Sequence, residues 1–297
     1  MAHHHHDENI TGRRLIVTML LNFLITIVEI IGGIISGSLS LISDALHNFS
    51  DGIAVIISYF ALKLKDKPNS YKHTFGFKRA EILAALINSS ALLAISFYLF
   101  YESSVRLLNP TEVQGGLMTI VAAVGLVANI AGTLLLKKGA SSSINIKAAY
   151  LHLLSDAVSS VAVILGGIAI YYLSVYWLDP VLTILIAAYV LKESFHILTD
   201  ALHVLMEGTP EGISLDDIKK AVESFEHVVN IHHIHVWSVG EKDIHLETHV
   251  NIDNMMTVDS DVLREKIEKE LQDKFEIHHA IIQFECGKCQ NDGIIKT

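Results

Sequence analysis

Residues 39–62, LSLISDALHNFSDGIAVIISYFAL, form an apolar run with no lysine or arginine, yet it carries His47 and Asp51 four positions apart and Asp44 three before the histidine. A run of this length matches the ~20 residues that a helix needs to cross a bilayer core. Residues 148–173, AAYLHLLSDAVSSVAVILGGIAIYYL, repeat the pattern with His152 and Asp156. Positions i and i+4 share one helix face, so each run offers an imidazole and a carboxylate together.

Working outward, apolar stretches also lie near 14–36, 80–105, 115–136 and 181–205. The spacing therefore predicts an all-α bundle of six membrane spans. Composition agrees: 51% hydrophobic and 18% charged residues are too apolar for an ordinary soluble domain. The polar start MAHHHHDENITGRR and the long apolar run behind it predict no cleavable signal peptide. Lys63, Lys65, Lys67, Lys72, Lys78 and Arg79 lie between the second and third stretches, and Lys137, Lys138 and Lys147 between the fourth and fifth. The intervening connections carry only Arg106. By the positive-inside rule the lysine-rich loops are cytoplasmic, and so are both termini of a multi-pass protein of the cell (plasma or inner) membrane.

After Met206 the composition turns polar, and Glu207-Gly208-Thr209-Pro210-Glu211-Gly212 reads as a linker. Residues 1–12 are then a histidine-bearing tail, 13–206 the membrane domain and 207–297 a C-terminal domain. Ser214 and Asp217 predict a capped helix to about Glu226, with Ile218, Val222 and Phe225 on one face. Alternating runs at 229–238 and 243–252, joined at Gly240-Glu241-Lys242, read as a hairpin. A second helix at 259–274, carrying Val262, Ile267 and Leu271, and a strand at 279–285 complete an αββαβ order and a small α+β domain. The net charge of −10 sits mainly here and argues against nucleic-acid binding.

Two imidazoles and two carboxylates meeting inside a bundle suit a tetrahedral zinc ion, with cobalt and cadmium as close alternatives, whereas magnesium and calcium take more oxygens. A pair of buried hydrogen bonds between helices would explain the same residues in a soluble core. At membrane depth ionisable groups are costly and mark ion pathways, which favours a transport site of His47, Asp51, His152 and Asp156. Asp44 would support that site or accept a proton. Glu29, Asn22, Asn88 and Asn129 also lie within spans, as interhelical hydrogen-bonding groups or, for Glu29, a proton relay. An intramembrane metallohydrolase would want His-Glu-x-x-His, which is missing from the sequence, so the chain is not read as an enzyme. A channel would conduct without counter-ion coupling, and a mere membrane anchor for a sensor domain would not need four buried ligands.

The chain resembles the cation diffusion facilitators, in the cobalt–zinc–cadmium resistance branch, essentially end to end. The resemblance rests on Ser43-Asp44-Ala45-Leu46-His47 with Asp51, His73-Thr74-Phe75-Gly76-Phe77-Lys78-Arg79, Tyr150-Leu151-His152 with Asp156, and His203-Val204-Leu205-Met206-Glu207-Gly208-Thr209-Pro210. It implies a homodimer, a ferredoxin-like cytoplasmic C-terminal domain, and zinc efflux driven by protons through alternating access. It also implies C-terminal metal sites, one from His232, His249 and Glu285 and another from His278, Glu285, Cys286 and Cys289, with zinc the ion bound. Further histidines there are His233, His235, His245 and His279, and plain strand alternation sets 233 and 235 on the face opposite 232. Surface hydrogen bonding is the plainer reading of strand histidines. Cys286 and Cys289 end a strand with no helix following, which argues against a thioredoxin-like role and, with no other cysteine, fits a reducing compartment. Some relatives hold a loop metal with a histidine at the place of His73 and another where this chain has Phe77, so no loop site is expected. The His3–His6 run is read equally as native or as part of a tag.

Overall fold

The computed structural model describes residues 4–137, 144–240, 243–287 and 293–294, with side chains from Leu20 onward in the first helix and from Tyr150 onward in the fifth. Lys138, Ser141 to Ser143, Glu241, Lys242 and Cys289 lie outside the described residues, as does His3. Long helices run α1 (His4–Ser36), α2 (Leu39–Lys65), α3 (Ala80–Leu108), α4 (Gly115–Leu136), α5 (Ile144–Leu173) and α6 (Leu178–Leu205). The smaller elements follow as α7 (Leu215–Glu223), β1 (Val228–Ser238), β2 (Ile244–Ile252), α8 (Thr257–Phe275) and β3 (Ile277–Glu285).

Among the described residues, five helices are long and apolar enough to cross a membrane: α2, α3, α4, α5 from Tyr150, and α6. The described side chains of α1 add a shorter apolar stretch, Leu20–Ser36. Burial in these helices is inverted relative to a water-soluble protein. Leu24, Tyr59, Phe60, Ile87, Val127 and Leu165 are exposed, whereas Glu29, Asp44, Asn48, Asn129, Asp156 and Asp179 are buried. Lipid accepts the first set; only protein partners or bound ions can satisfy the second.

The chain divides into two compact units, residues 1–57 with 87–197, and residues 58–86 with 198–297. Within the first, the α1–α2 turn is clasped by Asp179 at the start of α6. Its fully buried carboxylate accepts from Ser38 Oγ (2.6 Å), Leu39 N–H (2.8 Å), Ser40 N–H (3.2 Å) and Ser40 Oγ (2.7 Å). Two of these donors are backbone groups at the N-terminus of α2, which has no helical partner for them.

In the second unit the sheet runs β1-β2-β3, with β1/β2 antiparallel and β2/β3 parallel. A parallel pair needs a crossover, and α8 supplies it. Ile218 and Val222 of α7, Leu263, Ile267 and Leu271 of α8, and Ile231, Leu246 and Val250 of the strands share one core. Ser214 caps α7 as its spacing predicts, with Asp217 N–H donating to Ser214 Oγ (3.3 Å), although the helix stops at Glu223 rather than near Glu226. Of the expected α8 face, Ile267 and Leu271 are buried but Val262 is 50% exposed, and Leu263 takes its place. The 263, 267, 271 series is the i, i+4 stripe that a helix directs at one neighbour. Within the second unit, the segment between α2 and α3 is tied to the C-terminal part by Lys78–Asp243 (3.0 Å) and Arg79–Glu207 (3.1 Å).

Candidate metal centre

Helix spacing delivers the four intramembrane residues as pairs, and the fold brings the pairs together. His47 Nε2 lies 3.5 Å from Asp51 Oδ2, His152 Nε2 lies 3.5 Å from Asp156 Oδ2, and Asp51 Oδ2 crosses to His152 Nε2 at 3.3 Å. The imidazoles meet edge to face with centroids 5.8 Å apart. Asp51 Oδ2, His152 Nε2 and Asp156 Oδ2 are buried without hydrogen-bond geometry to any partner, so these close approaches are not a hydrogen-bonded network. His47, His152 and Asp156 offer ligand atoms all within 4.8 Å of one another. Around a tetrahedral ion with bonds of about 2.0–2.1 Å, ligand atoms sit roughly 1.63 bond lengths apart, about 3.3–3.4 Å. The approaches in the structure are of that size.

The surrounding shell is polar. Ser159 Oγ donates to Asp44 Oδ1 (2.7 Å) and reaches the Asp156 carbonyl (2.9 Å), which Ser160 Oγ also reaches (2.9 Å). Asp44 therefore couples α2 to the α5 ligand turn through Ser159. Ser50 Oγ donates to Asn88 Oδ1 (3.1 Å), tying α2 to α3. Asn48, next to His47, donates to Glu29 of α1 (3.3 Å).

In the C-terminal unit a second grouping joins β1, β2 and β3. His249 Nδ1 lies 2.9 Å from Glu285 Oε1, and His232 Nε2 3.6 Å from Glu285 Oε2. Asn230 Oδ1 lies 3.1 Å from His232 Nδ1 and orients that ring, the role a supporting group plays for a metal-bound imidazole. Two nitrogens and a carboxylate suit zinc. Plain alternation fails here: the β1/β2 register slips between His232 and His235, and His233 adopts a left-handed φ of 51°. This bulge turns His233 toward His232 and His249, with centroids 4.9 and 5.1 Å away, and leaves His235 exposed. His232, His233 and His249 can offer three ligand atoms within 4.8 Å.

The second implied C-terminal set is not brought together within one chain. His278 and Glu285 stand at opposite ends of β3, seven residues and about 23 Å apart at strand rise. Cys286 is exposed, and Cys289 lies outside the described residues. His245 sits four residues from His249 and packs instead against Trp237, His279 and Phe75. Burial, with help from His279 and Lys78, holds its pKa below the ordinary value. His73 closes a tight turn with Ser70 and rests on the Phe77 ring, centroids 4.4 Å apart. Sequence reasoning missed Asp179 and Asn230. The one signal for Asp179 was an acid beside Pro180 at a helix start.

A half-buried site of paired imidazoles and carboxylates inside an apolar helical bundle, followed by a small sheet domain, defines an integral membrane protein that handles divalent cations. The chain matches the cation efflux transmembrane domain over residues 15–206 and the cytoplasmic domain of cation efflux proteins over 210–286. It belongs to the cation efflux family, the cation diffusion facilitators. Among its relatives, the cadmium, cobalt and zinc/H(+)-K(+) antiporter of Bacillus subtilis is 37% identical over 98% of this chain and 94% of its own length. The metal cation efflux system protein CzcD of Cupriavidus metallidurans is 35% identical over 97% and 91%, and the zinc transporter ZitB of Escherichia coli 35% over 97% and 94%. These relatives place the chain in the zinc, cadmium and cobalt branch.

Proposed function

We propose that the chain is a zinc exporter, also accepting cobalt and cadmium, that exchanges cytoplasmic metal for protons by alternating access. His47, Asp51, His152 and Asp156 hold the transported ion. The observation that carries this reading is that His152 Nε2 lies 3.3 and 3.5 Å from Asp51 Oδ2 and Asp156 Oδ2, all three atoms buried without a hydrogen-bond partner, with His47 Nε2 3.5 Å from Asp51 Oδ2; these are edge lengths of a tetrahedral zinc shell. Ligands must be deprotonated to bind, so protons and metal compete for the same atoms. Imidazole titrates near ~6.5, within reach of the pH on either side of a cell membrane, and a proton gradient thereby drives metal the other way.

Six spans with both termini in the cytoplasm, in a plasma or inner membrane, suit the lysine distribution. Residues 13–206 form the membrane domain and 207–297 a ferredoxin-like cytoplasmic domain through which two chains pair, with residues 1–12 a tail. Zinc held by His232, His249 and Glu285, with His233 beside them, regulates the exporter from that domain. The test is zinc flux in liposomes with an imposed pH gradient. Native protein moves zinc against protons and Asp156→Ala does not; native flux in Asp156→Ala, or flux indifferent to the gradient, would sink the reading.

A further inference from the structure

His245 of β2 belongs to neither metal grouping, and it is 7% exposed. Its cross-strand partners are Trp237 of β1 and His279 of β3, with ring centroids 5.7 and 4.9 Å away. A further cover comes from outside the sheet: Phe75, in the segment between α2 and α3, meets the imidazole edge to face at 5.6 Å. Lys78 of the same segment holds Asp243 Oδ1 (3.0 Å), two residues before His245. Gly240 completes the contact, since a β-carbon there would lie 3.3 Å from Lys78 Cβ.

The segment is tied to itself. Ser70 and His73 exchange both backbone hydrogen bonds (3.0 Å each), Gly76 N–H donates to the His73 carbonyl (3.0 Å) and Ala80 N–H to that of Phe77 (2.9 Å). Its hold on the sheet rests on the Lys78 ion pair, the Phe75 ring and the Gly240 approach. Beside them lies a cavity of about 460 Å³, lined by Phe75, Phe77, Lys78, Trp237 and Val239 among others, so the docked surfaces are not close-packed throughout.

A proton on His245 acts against that hold. A neutral imidazole suits the cover of Phe75 and Trp237, whereas an imidazolium loses hydration beneath it. Its titratable neighbours are His279 from β3, Lys78 from the α2–α3 segment and Asp243 from its own chain run, while β1 contributes the uncharged Trp237. Asp243 favours a charge on the ring, but Lys78 already holds that carboxylate, so two cations would share one counter-charge. The aromatic rings attract an imidazolium weakly. The balance is nevertheless against charge: burial first, then His279 and Lys78, keep the His245 pKa below its ordinary value.

We propose that His245 is a pH-sensitive latch: neutral, it lets the segment between α2 and α3 dock on the sheet, and protonated, it releases that segment. Release opens the ring to water, so the released state binds the proton more tightly and falling pH favours it. Docking is therefore held above the ordinary histidine value of ~6.5 and weakens below it, by at most about tenfold per pH unit because one proton is bound. The segment continues α2, which carries His47 and Asp51, so the latch decides whether the C-terminal domain holds the end of that helix. Its bearing on transport rests on the function proposed above.

The test uses the full chain, freed of divalent metal by chelator, between pH 7.5 and 5.5. Hydrogen-exchange protection factors over residues 70–80 read docking, and Trp237 emission in a Trp177→Phe background reads the proton on His245. Protection falls as pH drops below about 6.5, by up to about tenfold per unit, and the emission changes over the same range. His245→Phe, which keeps an aromatic ring beside Phe75, abolishes both pH dependences. His279→Asn retains His245 and both dependences but moves their midpoint to higher pH. Asp51→Asn, which alters the intramembrane site, leaves both as in the native chain, so the latch and the transport reading fail separately. Constant protection over 70–80 in the native chain, or a fall that His245→Phe retains, overturns the proposal. Emission that titrates while protection stays constant, or a midpoint that His279→Asn does not raise, also overturns it.

Discussion

Asp51→Asn separates coordination from folding more cleanly than any other single change. Asp51 Oδ2 is the vertex shared by two close approaches, to His47 Nε2 at 3.5 Å and to His152 Nε2 at 3.3 Å, and it accepts no hydrogen bond. The substitution therefore removes a ligand and a charge without orphaning a partner. Four-ligand zinc sites bind with about 10–16 kcal/mol, so one ligand contributes about 2.5–4 kcal/mol. Its loss weakens binding on the order of 10²–10³-fold. The metal-free chain, relieved of a buried charge, melts at or above the native temperature. Zinc added to it no longer raises that temperature as it does for the native chain. The assay is a melting series in zinc beside liposome flux, in a His249→Ala background that silences the C-terminal site. Zinc affinity within tenfold of the parent, with parental flux, would refute the coordination argument and return Asp51 to a packing role.

Other consequences follow from the same geometry. His47→Asp makes the transport site harder and more anionic, so cadmium, manganese and iron(II) gain relative to zinc, and flux responds less to pH between about 6 and 7.5. Liposome fluxes with and without a gradient read both effects, and a change in neither removes His47 from the shell. Asp179→Ala orphans two backbone N–H groups and two hydroxyls at the start of α2. At about 1–3 kcal/mol for each buried backbone donor left unmade, it costs about 2–6 kcal/mol and lowers the melting temperature, with Asp179→Asn between; an unchanged melt contradicts the clasp. His245 has its pKa held down by burial, then by His279 and Lys78, while Asp243 opposes them. The unfolded chain then binds more protons, so this contribution to stability is present above the ordinary histidine value near ~6.5 and lost as pH falls below it. Protection factors across β2, exchange rates taken relative to the intrinsic rate at each pH, should fall from pH 7.5 to 5.5 and lose that dependence in His245→Phe.

The intramembrane pairs were legible because both the His-x-x-x-Asp spacing and a helical period act within one element, and the bilayer punishes any other use of such residues. The helices of the C-terminal domain were legible to a few residues for the same local reason, down to the Ser214 cap. Where tertiary context decides, the sequence was silent or misleading. Val262 and Leu263 are equally apolar, and only the direction of the sheet selects Leu263 for the core. The bulge at His233 arises from pairing with β2, and alternation cannot reveal a residue that pairing leaves over. Asp179 acts 139 to 141 positions away from its donors, so no local pattern announces it. His278 and Glu285, which the family resemblance groups with Cys286 and Cys289, stand seven positions apart on β3, and a strand does not bring such positions together within one chain.

The central claim is that the four residues of α2 and α5 coordinate the transported ion. Zinc-edge X-ray absorption on the full chain carrying His249→Ala, loaded with one zinc per protomer, tests it most directly. The account predicts four nitrogen and oxygen neighbours at about 2.0–2.1 Å, two of them imidazoles, with one imidazole lost in His152→Ala. A shell of six oxygens without imidazole, or a spectrum that His152→Ala leaves unchanged, would contradict it.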